Sequence, residues 1–449
     1  MKKKPNIIYI HSHDTGRFIQ PYGYQVHTPN LQRLAEEGVL FRKAFSVAPT
    51  SSPSRAGLLT GMSAHSCGML GLAHLGWRLN DYRQHLIHTL HAAGYTSALS
   101  GIQHIAAPPV ASIEEIGYQQ IFTIPDKSAA GTADCAIEYI NQKREQPFFL
   151  SVGFFETHRE FPPVDSADDP RYVALPPVIP DTPETRADMA AFKTSARNLD
   201  FHIGRILDAL DAAGIADDTL IICTTDHGLA MPEMKSSLTD RGTGVYLIMR
   251  GAGGFTGGKV FDSMVSHLDI FPTVCELLNI APPARLQGKS LLPLVAGDVE
   301  KLHDELFSEI TFHAAYEPVR AVRTERWKYI RRFDSKFKKT VLPNCDDGVP
   351  KTVWLEQTGW RENCPDEEQL FDLILDPVEM RNLAGDGAVQ PVLDEMRERL
   401  RRWMQRTDDP LLNGDVPLPE KGIMWRQDAK FLTEPTIGCD GELRSVPKI

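Results

Sequence analysis

A helix start, a candidate nucleophile and a cation lie together in the segment Ser51-Ser52-Pro53-Ser54-Arg55-Ala56-Gly57-Leu58-Leu59-Thr60-Gly61. Pro53 suits the first turn of a helix, where its missing N–H costs nothing, so we expect Ser51 just ahead of the helix N-terminus. Backbone N–H groups and the helix macrodipole attract anions there, and Arg55 adds a guanidinium that matches sulfate or phosphate oxygens. The segment therefore predicts a catalytic helix start, against the alternative of a surface Ser-Pro turn that caps a helix.

The same segment resembles the signature of the sulfatase family, which is Cys or Ser, any residue, Pro-Ser-Arg and then Leu-Thr-Gly. In that family the first residue, Ser51 here, is oxidised after translation to formylglycine, whose hydrated aldehyde is the nucleophile. Oxidation of a serine needs a maturase in the host. The order of the stretches 51–71, 147–158 and 182–228 is most similar to the sulfamidase branch, which cleaves N-sulfated glucosamine.

The resemblance implies an α/β fold of the alkaline-phosphatase type, which is an α/β/α sandwich with a large mixed, mostly parallel sheet. A smaller C-terminal α+β domain with an antiparallel sheet is expected to follow. We predict the catalytic domain at residues 1–300 and the small-sheet domain, with an extended tail, at residues 301–449. Apolar runs at 6–10 and 219–224 are typical of buried parallel strands, and the alternation at 317–324 is typical of a paired strand.

Composition limits the partners of this chain. Its 449 residues carry a formal net charge of −11, which argues against nucleic acid and anionic membranes as partners. Positive charge for an anionic substrate must then be concentrated in the site. The apolar run at 7–10 is too short for a signal-peptide core or a membrane span, which predicts a cytoplasmic protein. The 7 cysteines show neither zinc spacing nor a disulfide framework, and a homo-oligomer is left open.

Two candidate metal ligands, His13 and Asp14, follow the first predicted strand, where ligands collect in open α/β sheets. Sulfatases carry two adjacent carboxylates at this place, so His13 departs from the family pattern. Two interpretations stay open. Either both residues bind the metal in a more nitrogen-rich site, or Asp14 alone does and His13 lies behind it or faces the substrate. A purely local hydrogen bond between the two is the non-functional alternative.

The strongest metal candidates are Asp226 and His227, which follow the predicted strand at 219–224. Two adjacent ligands at a strand end, followed by Gly228, can converge on one ion. Most sulfatases have Asn as the second residue, whereas His is shared by relatives that hydrolyse phosphonate and phosphate diesters. The predicted metal set is therefore His13, Asp14, Ser51, Asp226 and His227.

Three further residues are expected to face the substrate. Lys235 matches the family's lysine that contacts the sulfate, with a solvated surface lysine as the alternative. His158 follows the strand predicted at 147–154 and matches the family's histidine that is thought to protonate the leaving group. His104 also matches a family histidine, but Ile102 replaces the usual lysine, so the leaving-group contacts must differ. The predicted catalytic set is Ser51, Arg55, His104, His158 and Lys235.

The chemistry follows from these groups. One divalent metal, Arg55 and Lys235 can hold the three oxygens of a sulfate or phosphate group and stabilise the charge of the transition state. Ca²⁺ is the family default, whereas two imidazole ligands favour Mn²⁺, Zn²⁺ or Fe²⁺. We predict a sulfatase-type hydrolase that uses a Ser51-derived formylglycine to cleave a sulfate ester or sulfamate of a small substrate, such as a sugar.

Two alternatives belong to other classes. A phosphodiesterase or phosphonate monoester hydrolase on the same scaffold is favoured by His227 and by serine at position 51. An inactive homologue that binds sulfated glycans is less favoured, because every metal candidate and Arg55 are present. His313 and Tyr316, ahead of the C-terminal strands, are predicted to reach over the pocket and select the substrate.

Overall fold

A computed structural model describes residues 4–107 and 110–447. The described strands are β1 (Asn6–Ser12), β2 (Val39–Phe45), β3 (Thr96–Gly101), β4 (Gln120–Phe122), β5 (Phe148–Gly153), β6 (Thr219–Thr225), β7 (Gly244–Val245), β8 (Leu247–Arg250), β9 (Lys259–Ser266), β10 (Leu306–Phe312), β11 (Tyr316–Arg323), β12 (Trp327–Arg332), β13 (Glu368–Asp372), β14 (Ile423–Trp425), β15 (Thr436–Gly438) and β16 (Leu443–Arg444). The described α-helices are α1 (Pro29–Glu37), α2 (Ser51–Thr60), α3 (Ala64–Cys67), α4 (Leu86–Ala92), α5 (Val110–Glu114), α6 (Ala129–Asn141), α7 (Pro183–Ala212), α8 (Asp240–Thr243), α9 (Ile270–Leu277), α10 (Leu292–Ala296), α11 (Val349–Thr358) and α12 (Gln390–Arg406).

The main sheet is mixed and mostly parallel, as predicted. Its strands run in the order β4-β3-β5-β1-β6-β8-β2, and β2 also pairs with β7 and β9. The five strands from β4 to β6 are mutually parallel, whereas β8 is antiparallel to both of its neighbours. Because β1 lies inside the parallel part, the loop that follows it is flanked by the ends of β5 and β6.

Helices cover both faces of this sheet, which gives the predicted α/β/α sandwich. Alternate residues of β1 enter two different cores, because successive side chains of a strand point to opposite faces. Ile7 packs with residues of α2, α4 and α9, whereas Ile8 and Ile10 pack with residues of α1, α6 and α7. Burial on both faces explains why β1, β5 and β6 are apolar runs rather than alternating patterns.

The C-terminal part contains the predicted antiparallel sheet. Strands β10, β11, β12 and β13 pair in sequence order, and α12 packs its apolar face, including Leu393 and Trp403, against them. The tail, predicted to be extended, forms a second small sheet of β14, β15 and β16, in which Trp425 is buried. Helix α10 ends at Ala296 and β10 begins at Leu306, and the domain boundary at residue 300 stays a prediction. Within the described ranges, every helix is too short or too polar to cross a membrane.

A buried ion cluster joins the C-terminal sheet to the catalytic part of the chain. Arg320 of β11 is 0% exposed, and its guanidinium lies 2.6 Å from Asp409 Oδ2 and 3.3 Å from Glu309 Oε2. His65 Nδ1, from α3, lies 2.9 Å from Glu309 Oε1. Burial disfavours the charge of Glu309, but His65 and Arg320 outweigh it and lower the pKa of this carboxyl to about 2. The cluster is therefore an ionic connection between the C-terminal sheet and helix α3.

We expect His65 to make the stability of the protein depend on pH. Burial disfavours the imidazolium, but the Glu309 carboxylate, helped by Asp409 and opposed by Arg320, outweighs burial and raises the pKa of His65 above 6.5. A raised pKa stabilises the folded state fully below the unfolded pKa, and this contribution is lost as pH rises through the folded pKa. The contribution of His65 to stability, and with it the thermal midpoint of wild type, should therefore decrease as pH rises above 6.5, since each unit of pKa shift corresponds to about 1.4 kcal/mol.

Differential scanning calorimetry of His65→Gln checks this expectation. The variant should melt at a lower temperature than wild type at pH 6, and the difference should shrink at pH 9. An equal difference at both pH values would contradict a charged His65.

Candidate active site and metal centre

The site lies where β1 and β6 end side by side. Ser12 pairs with Thr225 in the parallel register, so the loops that follow bring Asp14 next to Asp226. The backbone N–H groups of Asp14 and His227 both donate to Asp226 Oδ1, each over 2.9 Å. The carboxylate of Asp226 is thus fixed by two main-chain donors, and its second oxygen faces the neighbouring side chains.

Ser51 lies at the start of the buried helix α2. We predicted it just ahead of the helix, and the structure makes it the first helical residue after the extended Thr50. Its Oγ lies 3.1 Å from His227 Nε2 and 3.4 Å from His13 Nδ1. The predicted nucleophile therefore sits among the predicted metal ligands, at a helix N-terminus that favours negative charge.

The predicted metal ligands converge on one point. His13, Asp14 and Asp226 each contribute an atom to a group that lies within 4.8 Å. His227 Nε2 lies 3.3 Å from Asp14 Oδ1 and 3.5 Å from Asp226 Oδ2, and His13 Nδ1 lies 3.3 Å from Asp226 Oδ2. With Ser51, the structure brings together all members of the set predicted from the sequence.

Two observations show that these residues fit a divalent cation. Asp14 Oδ1 is buried and has no hydrogen-bond partner, although it lies among nitrogen and oxygen atoms. His227 Nδ1 lies 3.1 Å from the carbonyl oxygen of Gly228, to which it can donate, and this tautomer leaves a lone pair on Nε2, which lies 3.1 Å from Ser51 Oγ and 3.3 Å from Asp14 Oδ1. An orphaned carboxylate oxygen beside an available imidazole lone pair is the donor arrangement that a metal ion satisfies.

His13 is suited to the same role electrostatically. Burial, with smaller contributions from Arg55 and His158, lowers the pKa of His13 to about 4, against the opposing charge of Asp226. The imidazole is therefore neutral at neutral pH, as a metal ligand must be. Its Nδ1 faces the ligand cluster, which agrees in geometry with the interpretation that both His13 and Asp14 are ligands.

Arg55 lies behind the metal ligands rather than in the open cleft. Its side chain is 1% exposed, and its Nη2 donates to Asp226 Oδ2 over 3.1 Å and to the Ser12 carbonyl over 3.0 Å. The other terminal nitrogen contacts His11 Nδ1. In this arrangement the guanidinium neutralises and orients Asp226, and the predicted contact with substrate oxygens stays a prediction.

Lys235 is a buried residue of the site, so the surface-lysine alternative is wrong. Its Nζ lies 3.1 Å from Asp14 Oδ2 and 2.7 Å from Asp346 Oδ2, and its side chain is 3% exposed. Burial disfavours the ammonium, but Asp14 and Asp346 outweigh burial and raise its pKa above the ordinary value. The site therefore contains a permanently charged ammonium beside the proposed metal ligands.

His158 lies at the mouth of the site. Its Nδ1 faces the carbonyl oxygen of Arg159, and its Nε2 lies 4.0 Å from Asp14 Oδ2. The side chain is 24% exposed, and its ring centroid lies 5.3 Å from that of His13. The Nε2 edge is thus the part of the imidazole that a bound substrate can reach.

His104 lies next to His13 and is stacked on a further imidazole, that of His74. Its ring centroid lies 5.3 Å from that of His13 and 5.7 Å from that of His74. Burial is the main cause that lowers the pKa of His104 well below 6.5 and that of His74 to about 4. Both rings are therefore neutral, and they line the site where Ile102 replaces a lysine.

Sequence reasoning missed two residues of the site, Asp346 and His74. No spacing signal marks Asp346, because it comes from a C-terminal loop and reaches the site only through the tertiary fold.

His313, predicted to overlie the pocket, is buried with its Nε2 3.8 Å from Asp346 Oδ1. Tyr316 does not join it: the Tyr316 hydroxyl accepts a hydrogen bond from the backbone of Val416 in the tail. The prediction for Tyr316 is wrong, because its hydroxyl contacts the tail and not the site.

A second group of possible ligands is already neutralised by the chain itself. Asp14, His158 and Asp346 also bring one atom each within 4.8 Å. The ammonium of Lys235, however, lies between the two carboxylates at hydrogen-bonding distance from both. Among the described residues a third group, His65, Glu309 and Asp409, is likewise neutralised, by Arg320. The group of His13, Asp14 and Asp226 is thus the candidate metal centre, with a lysine in the neighbouring cation position.

Candidate metal ligands, a buried ammonium and a helix N-terminus lie together at the ends of the parallel strands, an arrangement that suits an enzyme acting on an oxyanion ester. The sulfatase family model matches residues 5–280, so the chain belongs to the sulfatase family of hydrolases. A second model, described as N-sulphoglucosamine sulphohydrolase, C-terminal, matches residues 235–345.

Individual relatives agree with the family assignment. The chain is 28% identical over 439 residues to the N-sulphoglucosamine sulphohydrolase of Homo sapiens, covering 86% of both chains. It is 25% identical to an ulvan-active sulfatase of Formosa agariphila, covering 99% of this chain and 84% of that protein. A protein solved with its substrate D-glucosamine-2-N,6-O-disulfate shares the fold, with a TM-score of 0.69 and 18% identity over 91% of this chain and 99% of that one.

Proposed function

We propose that this chain hydrolyses a sulfate ester or sulfamate of a small sugar, with residue 51, oxidised from serine to formylglycine, as the nucleophile. The observation that carries the proposal is the position of Ser51 Oγ, at the start of α2 and 3.1 Å from His227 Nε2 in the ligand cluster. The names of the human and Formosa relatives, which act on N-sulphoglucosamine and ulvan, support a sulfated sugar as substrate.

One divalent ion would be held by His13, Asp14, Asp226, His227 and residue 51. When bound, it supplies Lewis acidity and lowers the pKa of the attacking hydroxyl. The mixture of carboxylate and imidazole donors favours Mn²⁺, Zn²⁺ or Fe²⁺ over Ca²⁺, which prefers oxygen ligands. Metal analysis of protein purified without chelators checks this preference.

The chain's own residues explain how an anionic group is held. Arg55 fixes Asp226 from behind, so that the carboxylate keeps its orientation when the substrate charge arrives. The N-terminus of α2 and the Lys235 ammonium lie next to the ligand cluster and would attract the sulfate oxygens. Local positive charge thereby compensates for the acidic net charge of the whole protein.

His158 is the proposed general acid, because its Nε2 edge is accessible at the mouth of the site. His104 is the second candidate, but its burial keeps its pKa too low to carry a proton at neutral pH. We therefore assign His104, with His74, to packing around the leaving group.

Replacing His158 with glutamine should lower kcat for a substrate with a poor leaving group, such as an alkyl or sugar sulfate, by about 10²- to 10⁴-fold. The loss should be much smaller for 4-nitrophenyl sulfate, whose leaving group needs little protonation. Steady-state kinetics on both substrates measure the contrast. His202→Gln, at a buried histidine of α7 beside Arg205, is the matched control. An equal loss on both substrates would contradict the assignment.

A phosphodiesterase or phosphonate hydrolase remains the second candidate, and the nitrogen ligand His227 favours it. The direct comparison uses 4-nitrophenyl sulfate, the diester bis(4-nitrophenyl) phosphate and the 4-nitrophenyl monoester of phenylphosphonic acid with metal-loaded enzyme. Faster release of sulfate supports the proposed function. Faster turnover of a phosphorus ester would replace it with the second candidate.

A further inference from the structure

Asp346 is brought to the site by the C-terminal part of the chain. It follows a short 3₁₀ turn, Leu342–Asn344, whose Asn344 side chain accepts from the backbone of Ala315 and donates to Glu317 Oε2, both over 2.8 Å. The carbonyl of Cys345 accepts a hydrogen bond from Lys351 Nζ over 2.9 Å. The loop is therefore anchored on both sides of Asp346, and it holds the Asp346 carboxylate beside Lys235.

The partner of this carboxylate is the Lys235 ammonium. An ammonium has three N–H donors, and two of them are taken by Asp14 Oδ2 at 3.1 Å and Asp346 Oδ2 at 2.7 Å. Within the described ranges, no third acceptor lies at hydrogen-bonding distance from Nζ. One N–H of Lys235 is thus left for a group that enters the site.

Asp14 and Asp346 differ in how strongly they would attract the Lys235 ammonium once a metal ion is bound. Asp14 belongs to the proposed metal centre, so a divalent cation there would neutralise it and repel a nearby ammonium. Asp346 lies outside that centre and keeps its charge. It is fixed by its loop, and His313 faces its other oxygen at 3.8 Å. The remaining attraction on Lys235 then comes from Asp346.

We propose that Asp346 is a positioning residue that holds the Lys235 ammonium beside the metal centre, with its free N–H directed at a substrate oxygen. The C-terminal domain thereby completes the oxyanion site of the catalytic domain. This inference rests on the proposed function only in assuming that the substrate is a sulfate or phosphate ester.

A double-mutant cycle with Asp346→Asn and Lys235→Met tests whether the two residues act as a unit. The substrate is whichever 4-nitrophenyl ester, sulfate or phosphate, wild type hydrolyses. We expect each single substitution to lower kcat/KM by about 10- to 10²-fold. The kcat/KM of the double variant should lie within about 2-fold of that of Lys235→Met. The inhibition constant of the corresponding inorganic anion should rise in both single variants. Losses that multiply, or an Asp346→Asn variant with wild-type kinetics, would overturn the proposal.

Asp372→Asn is the matched control. Asp372, the last residue of β13, is also a buried aspartate that pairs with a cation, Arg326 at 2.7 Å, but it lies outside the ligand cluster. Its substitution should leave kcat/KM unchanged, whereas Asp346→Glu should recover most of the activity lost in Asp346→Asn. If Asp346→Asn fails to fold, Asp346→Ser takes its place in the cycle. The proposed function is tested separately from this inference: it fails if wild type releases phosphate and no sulfate. In that case the double-mutant cycle is measured with the phosphate ester.

Discussion

Replacing Ser51 with alanine is expected to lower kcat/KM for the sulfated substrate by at least about 10⁴-fold, because removal of a nucleophile leaves only binding and electrostatic stabilisation. The fold should survive, since Ser51 is the first residue of α2 and its hydroxyl contacts only His13 and His227 among the described hydrogen-bond partners. Release of inorganic sulfate, followed over hours at high enzyme concentration, measures the residual rate.

The matched control for this prediction is Ser46→Ala. Ser46 is also buried, but its hydroxyl donates to the carbonyl of Ala48 and lies outside the ligand cluster. Ser46→Ala should lower the stability of the protein but leave kcat/KM close to that of wild type. A Ser51→Ala variant that keeps more than a tenth of the wild-type rate would exclude Ser51 as the nucleophile.

Replacing Asp14 with asparagine should lower the bound metal and reduce kcat/KM by about 10³-fold, the equivalent of several kcal/mol of transition-state stabilisation. The substitution keeps the size of the side chain but replaces the carboxylate whose buried Oδ1 has no partner in the ligand-free site. Metal analysis after dialysis, with kinetics at increasing concentrations of Mn²⁺, Zn²⁺ and Ca²⁺, measures both effects. Partial recovery at high metal concentration is expected, because Asp226 and His227 are kept.

Asp208→Asn provides the comparison for Asp14→Asn. Asp208 is an exposed aspartate of α7 that pairs with Arg33 at 2.9 Å, and exposed ion pairs contribute little to stability. Its metal content and kinetics should equal those of wild type. An Asp14→Asn variant with undiminished metal content and rate would contradict the metal centre described above.

Much of the fold and most of the metal centre could be predicted from the sequence, because local patterns carry that information. Strands β1 and β6 are continuous apolar runs, since both faces of each strand are buried, and polar residues begin where these strands end. Parallel strands end at one edge of a sheet, so Asp14 and Asp226 had to lie near each other. The Ser-x-Pro-Ser-Arg pattern added the helix start that carries Ser51.

The rest of the site depends on tertiary contacts that no local pattern reports. Asp346 reaches Lys235 across 111 positions of the chain, from a loop whose own sequence carries no distinguishing spacing. The direction of the Arg55 side chain, toward Asp226 and not toward the cleft, follows from the partners that surround it. Tyr316 was misplaced for the same reason, because its position depends on where the tail packs.

The mass of the tryptic peptide 44–55, taken from protein that has been shown to release sulfate, tests the central claim most directly. We predict that the peptide has lost two hydrogens and that fragmentation locates the loss at Ser51 and not at Ser46, Ser52 or Ser54. The activity should be proportional to the modified fraction. An unmodified Ser51 in fully active protein would contradict the proposed formylglycine nucleophile.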